Sequence, residues 1–240
     1  MPRFSHPVSI RANDAQLAGD LTIPDQPRGI VIFAHGSGSS RFSSRNRFVA
    51  SRLNDAKLAT LLMDLLTPRE EEVDELTREL RFDIDLLADR LIAAMQFVNL
   101  DPRTLNLPIG LFGASTDGGA ALVAAGRKPE LVQTVVSRGG RPDLAGDSLF
   151  DVKCPVLLIV GAADDEVIQL NRQAMQLLPE ATKVELKLIP NATHLFQEPG
   201  ALAQVAEMAT QWFVHHLHAD VTKLVVDGLD PTNDSSRSNH

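Results

Sequence analysis

The chain contains one cysteine, Cys154, so no internal disulfide can form. No apolar run approaches the ~18 residues that a membrane-spanning helix needs. Residues 1–7 lack the apolar segment of a secretory signal. Basic residues are in deficit: 23 Lys and Arg stand against 31 Asp and Glu, a net charge of −8. A nucleic-acid role therefore has no electrostatic support. No internal repeat is present. Together these absences lead us to expect a soluble cytoplasmic protein with neither a nucleic-acid nor a membrane partner. Its 240 residues suit one α/β domain with a large core, here placed over residues 1–218. Residues 219–240 are polar and acidic. We expect them to form a loosely ordered tail, with a short apolar run at 221–226 packing locally.

What is present is an alternation of two patterns. Continuous apolar runs at 29–33, 59–66, 107–112, 131–137 and 155–160 read as strands covered on both faces. Residues 183–189 alternate and read as a last strand. Between these runs lie segments with helical spacing at 44–56, 82–100, 118–125, 167–178 and 201–217. Ser43 or Ser44 is the candidate cap of the first. Residues 8–12 and 16–23 read as an antiparallel hairpin about Asn13 and Asp14. The fold class expected is α/β: a mostly parallel twisted sheet with an antiparallel N-terminal hairpin and helices on both faces. The charge-rich stretch 67–81 reads as a solvated connecting loop with a helical turn, or as a flap beside the active site.

In such a sheet, reactive groups gather outside the carboxyl ends of the strands. Four polar signals lie there. The first is His35-Gly36-Ser37-Gly38, and the others are Ser115, Asp164 and His194. Ser115 ends an apolar run and precedes an Ala-rich helical run, the strand–turn–helix context that gives a Gly-x-Ser-x-Gly match its meaning. Such a turn strains the serine backbone and lifts its hydroxyl above the sheet. A serine needs a base within hydrogen-bond reach, which His194 can supply. Asp164 can hold the imidazole in the useful tautomer. The backbone N–H groups of Ser37 and Thr116 would form an oxyanion hole.

One position departs from the motif. Asp117 stands two residues after the serine, where glycine is wanted. Its charge suits a first helical turn, yet it could oppose the oxyanion. Asp143, beyond another strand, is a second candidate acid. Arg138 and Arg141 follow a strand end and could hold an acidic substrate group or form structural salt bridges. His35 is a further candidate substrate contact. Cys154 lies at the wrong end of its strand for catalysis. His215, His216 and His218 read as decoration of a helix C-terminus, where cations are favoured, rather than as a metal site.

The segments F-A-H-G-S-G-S-S at 33–40, G-A-S-T at 113–116, G-A-A-D-D-E-V at 161–167 and N-A-T-H-L-F at 191–196 resemble the α/β-hydrolases, in the dienelactone-hydrolase-like branch. The resemblance runs from about Val8 to Leu217. It implies Ser115 as nucleophile, His194 as base and Asp164 as acid. It also implies Ser37 and Thr116 as backbone donors, with no cofactor and no metal. Dienelactone hydrolases resemble this pattern with a cysteine nucleophile. The serine here points to a carboxylesterase for small-molecule esters, acting through an acyl-enzyme, as a monomer or homodimer. Two other readings stay open. One is a non-catalytic ligand-binding module impaired by Asp117, the other an acyltransferase using the same three residues.

Overall fold

The computed structural model describes residues 5–36 and 38–218. The expected tail at 219–240, with its 221–226 run, lies outside the described residues. Eight strands form one sheet: β1 (Ser5–Ala12), β2 (Ala15–Thr22), β3 (Ile30–Ala34), β4 (Ala59–Met63), β5 (Ile109–Ala114), β6 (Val132–Arg138), β7 (Val156–Gly161) and β8 (Val184–Ile189). Their order across the sheet is β1-β2-β4-β3-β5-β6-β7-β8. β1 and β2 pair antiparallel, as do β2 and β4, and all the other pairs are parallel. The expected mostly parallel sheet with an N-terminal hairpin is the one observed. Asn13 closes the hairpin with a φ of 54°, a conformation that asparagine tolerates better than most residues.

Composition sorts the strands by position. β3, β4, β5 and β7 are buried at every residue, as the two-sided cover of a central parallel strand requires. β8 lies at the sheet edge, is mostly exposed or half-buried, and carries Lys and Glu. Two helices, α1 (Ser44–Asp55) and α6 (Ala201–His216), pack on one face through Val49, Leu53, Val205 and Phe213. The opposite face takes α3 (Ile84–Leu100) and α4 (Thr116–Arg127) through Leu87, Leu91, Met95 and Leu122. It also takes α5 (Asp165–Met175) through Ala174. Ser43 caps α1 by accepting from the Asn46 N–H, and Asp83 caps α3 by accepting from the Leu86 N–H at 3.0 Å.

Residues 67–81 are a formed helix rather than a loop. Helix α2 (Pro68–Thr77) starts with a reciprocal capping box between Thr67 and Glu70 and is followed by a 3₁₀ turn at Leu80–Phe82. Glu70 accepts from Arg90 of α3 at 2.8 Å, and Asp74 accepts from Arg81 Nε at 2.6 Å. The first bond ties the start of α2 to α3, and the second ties the helix to the turn that follows it. Residues 142–151 make a 3₁₀ segment that the periodicity did not signal, with a left-handed kink at Gly146. Its ten residues form short 3₁₀ pieces without a repeating apolar face.

The central geometric demand is the return of α4 against β5. A Cβ on Gly113 would lie 2.6 Å from the Gly118 Cα and 2.7 Å from the Asp117 carbonyl oxygen. Both obstacles are backbone, so neither can rotate away. The variant Gly113→Ala should therefore be destabilised by about 1–3 kcal/mol through overpacking. Equilibrium urea denaturation reads this as a lowered midpoint, and an unmoved midpoint would contradict the packing account.

Candidate active site

Helix α4 begins directly after Ser115, whose backbone has φ 54° and ψ −129°. A non-glycine residue there stores about 1–3 kcal/mol of strain, held by surrounding bonds. The Ser115 N–H donates to the Arg138 carbonyl at 3.2 Å, and the Ser115 carbonyl accepts from Gly118 and Arg141, each at 3.0 Å. The turn is thus tied to the end of β6 and to the loop after it. Thr116 follows, 4% exposed.

The rim of the sheet brings Ser115, His194 and Asp164 together. Ser115 Oγ lies 3.2 Å from His194 Nε2, and His194 Nδ1 lies 2.8 Å from Asp164 Oδ2. An ionised carboxylate only accepts, so Nδ1 carries the ring hydrogen and the Nε2 lone pair faces the serine hydroxyl. Asp164 stands at the N-cap position of α5, yet its side chain makes no capping bond. Its carboxylate is spent on His194 instead. Asp165 and Glu166 occupy the first turn of that helix.

The competing acid falls away. Asp143 accepts two bonds from Arg141, at 2.9 and 2.7 Å. That pairing also settles Arg141 as a structural salt bridge. Cys154 is 6% exposed just before β7, and burial pushes its thiol up to about 12. His215 and His216 stack edge-on at 4.6 Å, with His216 also against Trp212 at 4.3 Å. Burial, followed by the nearby Lys183 charge, pulls His216 down to about 4, so that ring is not the helix-end cation expected of it. Among the described residues, no group of three or more His, Cys, Asp or Glu is placed to hold a metal ion. Among them too, no helix is long and apolar enough to cross a membrane.

The loop after β3 is braced from several sides. Ser37 lies outside the described residues. His35 is 8% exposed. Its Nε2 accepts the Leu65 N–H at 3.2 Å, and its Nδ1 lies 2.9 Å from the Gly36 carbonyl oxygen. Accepting at Nε2 and donating at Nδ1 uses both ring nitrogens in the neutral form. His35 therefore holds the loop, while its ring borders a cavity of about 400 Å³ beneath α2 that Phe42, Leu66, Glu71 and Asp117 also line.

Asp117 is tied to the loop after β3. Its carboxylate is 2% exposed and accepts the Gly36 N–H at 2.8 Å. The group suspected of opposing an oxyanion is thus committed to the loop backbone. The His35 ring lies beside it, with Nδ1 3.9 Å from Asp117 Oδ2. Burial, only partly countered by His35 and the Gly36 bond, raises the Asp117 pKa.

Arg138, at the end of β6, is 6% exposed. Its Nε and Nη1 have no hydrogen-bond partner among the described residues, and its guanidinium lies 5.8 Å from the centre of the Phe196 ring. Burial and the like charge of Arg45 pull its pKa down to about 10, which leaves it charged at neutral pH. Sequence alone carried no sign that this arginine would lack a carboxylate.

The family model described as the dienelactone hydrolase family matches residues 17–217. A crystal structure of a dienelactone hydrolase from Anabaena variabilis is similar throughout. It is 56% identical with a TM-score of 0.88, and the match covers 90% of this chain and 99% of that one. Est1E from Butyrivibrio proteoclasticus, 15% identical with a TM-score of 0.72 over 88% of this chain and 98% of its own, shares the fold. Two curated Mycobacterium tuberculosis proteins, from strains CDC 1551 / Oshkosh and ATCC 25618 / H37Rv, are 54% identical over 216 residues. Each is provisionally named a phosphoribosyl transferase. The match covers 90% of this chain and 47% of theirs, so the chain spans about half the length of those relatives.

The raised pKa of Asp117 gives its effect on stability a definite sign. A carboxyl whose folded pKa lies above its unfolded value of ~3.9 contributes stability that is present below that value and lost as pH rises. Asn in its place carries no such penalty. The stability of Asp117→Asn relative to the natural protein should therefore grow as pH rises from about 4. Urea denaturation at a series of pH values measures this, and a difference that stays flat with pH would contradict it.

Proposed function

The chain belongs to the dienelactone hydrolase family, and from that premise we propose that it is a serine hydrolase cleaving small carboxylic esters through an acyl-enzyme. One observation carries the reading: the continuous run of hydrogen-bond contacts from Ser115 through His194 to Asp164. In the first half-reaction Ser115 Oγ attacks the ester carbonyl carbon as its proton passes to His194 Nε2. Asp164 stabilises the imidazolium that forms. The tetrahedral oxyanion is received by backbone N–H groups, assigned here to Thr116 and Ser37. Collapse breaks the bond to the leaving alcohol, which takes the proton from Nε2. In the second half-reaction water attacks the acyl-enzyme with His194 again as base, and the acid is released. No step calls for a metal or cofactor.

The bond from the Gly36 N–H gives the Asp117 carboxylate a role in holding the loop, which supports the catalytic reading over a non-catalytic module. The transferase name of the Mycobacterium relatives attaches to proteins about twice as long as the matched region. It does not enter this reading.

Arg138 adds a substrate preference. A buried guanidinium whose Nε and Nη1 have no partner among the described residues, on the residue whose backbone carbonyl accepts the Ser115 N–H, suits an anionic substituent on the acyl or alcohol part of the ester. Bonds to a charged group are worth about 1.5–3 kcal/mol, or roughly 10–100-fold in rate.

Two outcomes follow. A fluorophosphonate should label the natural protein at Ser115. Ser115→Ala should lose labelling and at least about 10⁴-fold of ester turnover. Undiminished labelling of that variant, located by peptide mapping, would remove the assignment. Arg138→Met should lose about tenfold or more kcat/KM on an aryl hemisuccinate beyond its loss on the matching aryl butyrate. Equal losses on the two esters would show that Arg138 does not read charge.

A further inference from the structure

Helix α5 carries one residue that its own pattern does not call for. Asn171 lies four residues after Val167, three after Ile168 and three before Ala174, all buried on the inner stripe of the helix. An apolar side chain belongs at that position. Asparagine is a poor interior helix residue, and this one is 0% exposed with its Oδ1 unpartnered among the described residues. A buried acceptor left unpaired is costly. What the amide achieves lies at its other end. Its Nδ2 donates to the Val167 carbonyl at 2.7 Å and to the Gly140 carbonyl at 3.0 Å. With two carbonyl oxygens at that end, the amide nitrogen must be the atom that faces them.

The Val167 bond stays within the helix, and the Gly140 bond leaves it. Gly140 belongs to the short loop 139–141 after β6, and that loop touches both the nucleophile and the base of the candidate site. Arg141 donates its N–H to the Ser115 carbonyl at 3.0 Å. Gly139, at φ +52°, lies against His194: an added Cβ would sit 3.2 Å from the His194 carbonyl oxygen and 3.6 Å from its ring Cε1. The Gly139 N–H is itself bonded to the Ile159 carbonyl of β7 at 2.7 Å. Gly140, between these two pins, has no side chain to anchor it, and Asn171 takes hold of its carbonyl. The helix that carries Asn171 begins at Asp164, the partner of His194. One side chain thus joins the helix of the acid to the loop beside the nucleophile and the base.

We propose that Asn171 is a positioning residue, which holds the Gly140 carbonyl and so fixes the 139–141 loop against Ser115 and His194 at the spacing that proton transfer needs. The role rests on the serine-hydrolase reading above. Without the Asn171 amide, the loop keeps its bonds at Gly139 and Arg141 but loses the one that ties it to α5. Ser115 Oγ and His194 Nε2 stand 3.2 Å apart, at the long end of the reach of a general base. A small drift of either therefore opens the contact, and misplacing a group by 1 Å costs up to about 10² in rate.

The test compares Asn171→Leu, which keeps the volume and removes the donor, with Asn171→Ala, each checked for a cooperative thermal transition. Thr104→Val is the control. It deletes another buried bond, from Thr104 Oγ1 to the Val98 carbonyl at 2.7 Å, in the turn before β5 at the opposite end of the strands. With p-nitrophenyl acetate, both Asn171 variants should lose about 10–100-fold in kcat with KM within about threefold. Fluorophosphonate labelling of Ser115, which needs the base but no deacylation, should slow by a similar factor. Thr104→Val should lose thermal stability and keep both kcat and labelling rate. A folded Asn171 variant with natural kcat and labelling rate would overturn the proposal. Losses in Thr104→Val equal to those at Asn171 would overturn it too, since they would mark a general effect of stability. If neither Asn171 variant folds, the residue serves the fold and the positioning role is withdrawn. If the natural protein neither takes the label nor turns over the ester, the hydrolase reading itself is lost and this role with it. If it does both while the Asn171 variants match it, only the role of Asn171 is lost.

Discussion

The contact between strand β5 and helix α4 has no room for a side chain. A Cβ on Gly113 would lie only 2.6–2.7 Å from the backbone of Gly118 and Asp117, and the chain must reverse direction within one residue. Ser115 absorbs that reversal in a backbone conformation that non-glycine residues rarely adopt. The strain is sustained because both backbone groups of Ser115 are bonded, to Arg138, Gly118 and Arg141. The candidate site is arranged around the hydroxyl this turn presents. The β6 end anchors the turn, and β7 and the loop after β8 deliver Asp164 and His194 to its side.

A second layer of order surrounds the turn, built from polar groups that are buried but used. His35 spends both ring nitrogens on backbone, Asn46 reaches the His35 carbonyl, and Asp117 reaches the Gly36 N–H. Buried polar atoms left without partners are costly, so such a set specifies one loop conformation rather than several. At the end of β6, Arg138 Nε and Nη1 are buried with no hydrogen-bond partner among the described residues, as is the neighbouring Ser137 hydroxyl.

Helix α2 shows how charge can mislead a reading by composition. The run of acids at 70–72 looks like solvated linker. Yet Glu70 closes a capping box and pairs with Arg90, while Asp74 is buried against Arg81. A segment polar on nearly every side has no apolar stripe to announce a helix, and its stability comes from end bonds and long-range ion pairs. The 3₁₀ segment at 142–151 escaped notice for a related reason. Its short turns bury Ala145 and Leu149 without a sustained period.

Hydrophobic period, glycine placement and chain order were enough to establish the α/β class, the hairpin, the strand ends and the candidacy of Ser115, Asp164 and His194, because each depends on local pattern or on the rule that parallel strands point their carboxyl ends one way. Which acid faces the imidazole was not decidable until Asp143 was seen bound to Arg141 and Asp164 free of its capping duty. The meaning of Asp117 and of Arg138 likewise depended on which distant backbone or side chain lay beside them. The partner of Asp117 is 81 residues away in sequence, and Arg138 stands out only because two of its nitrogens lack a partner among the described residues. Local sequence determines what a residue can do with its neighbours in the chain, whereas burial and hydrogen-bond pairing between segments far apart are set by how the layers pack.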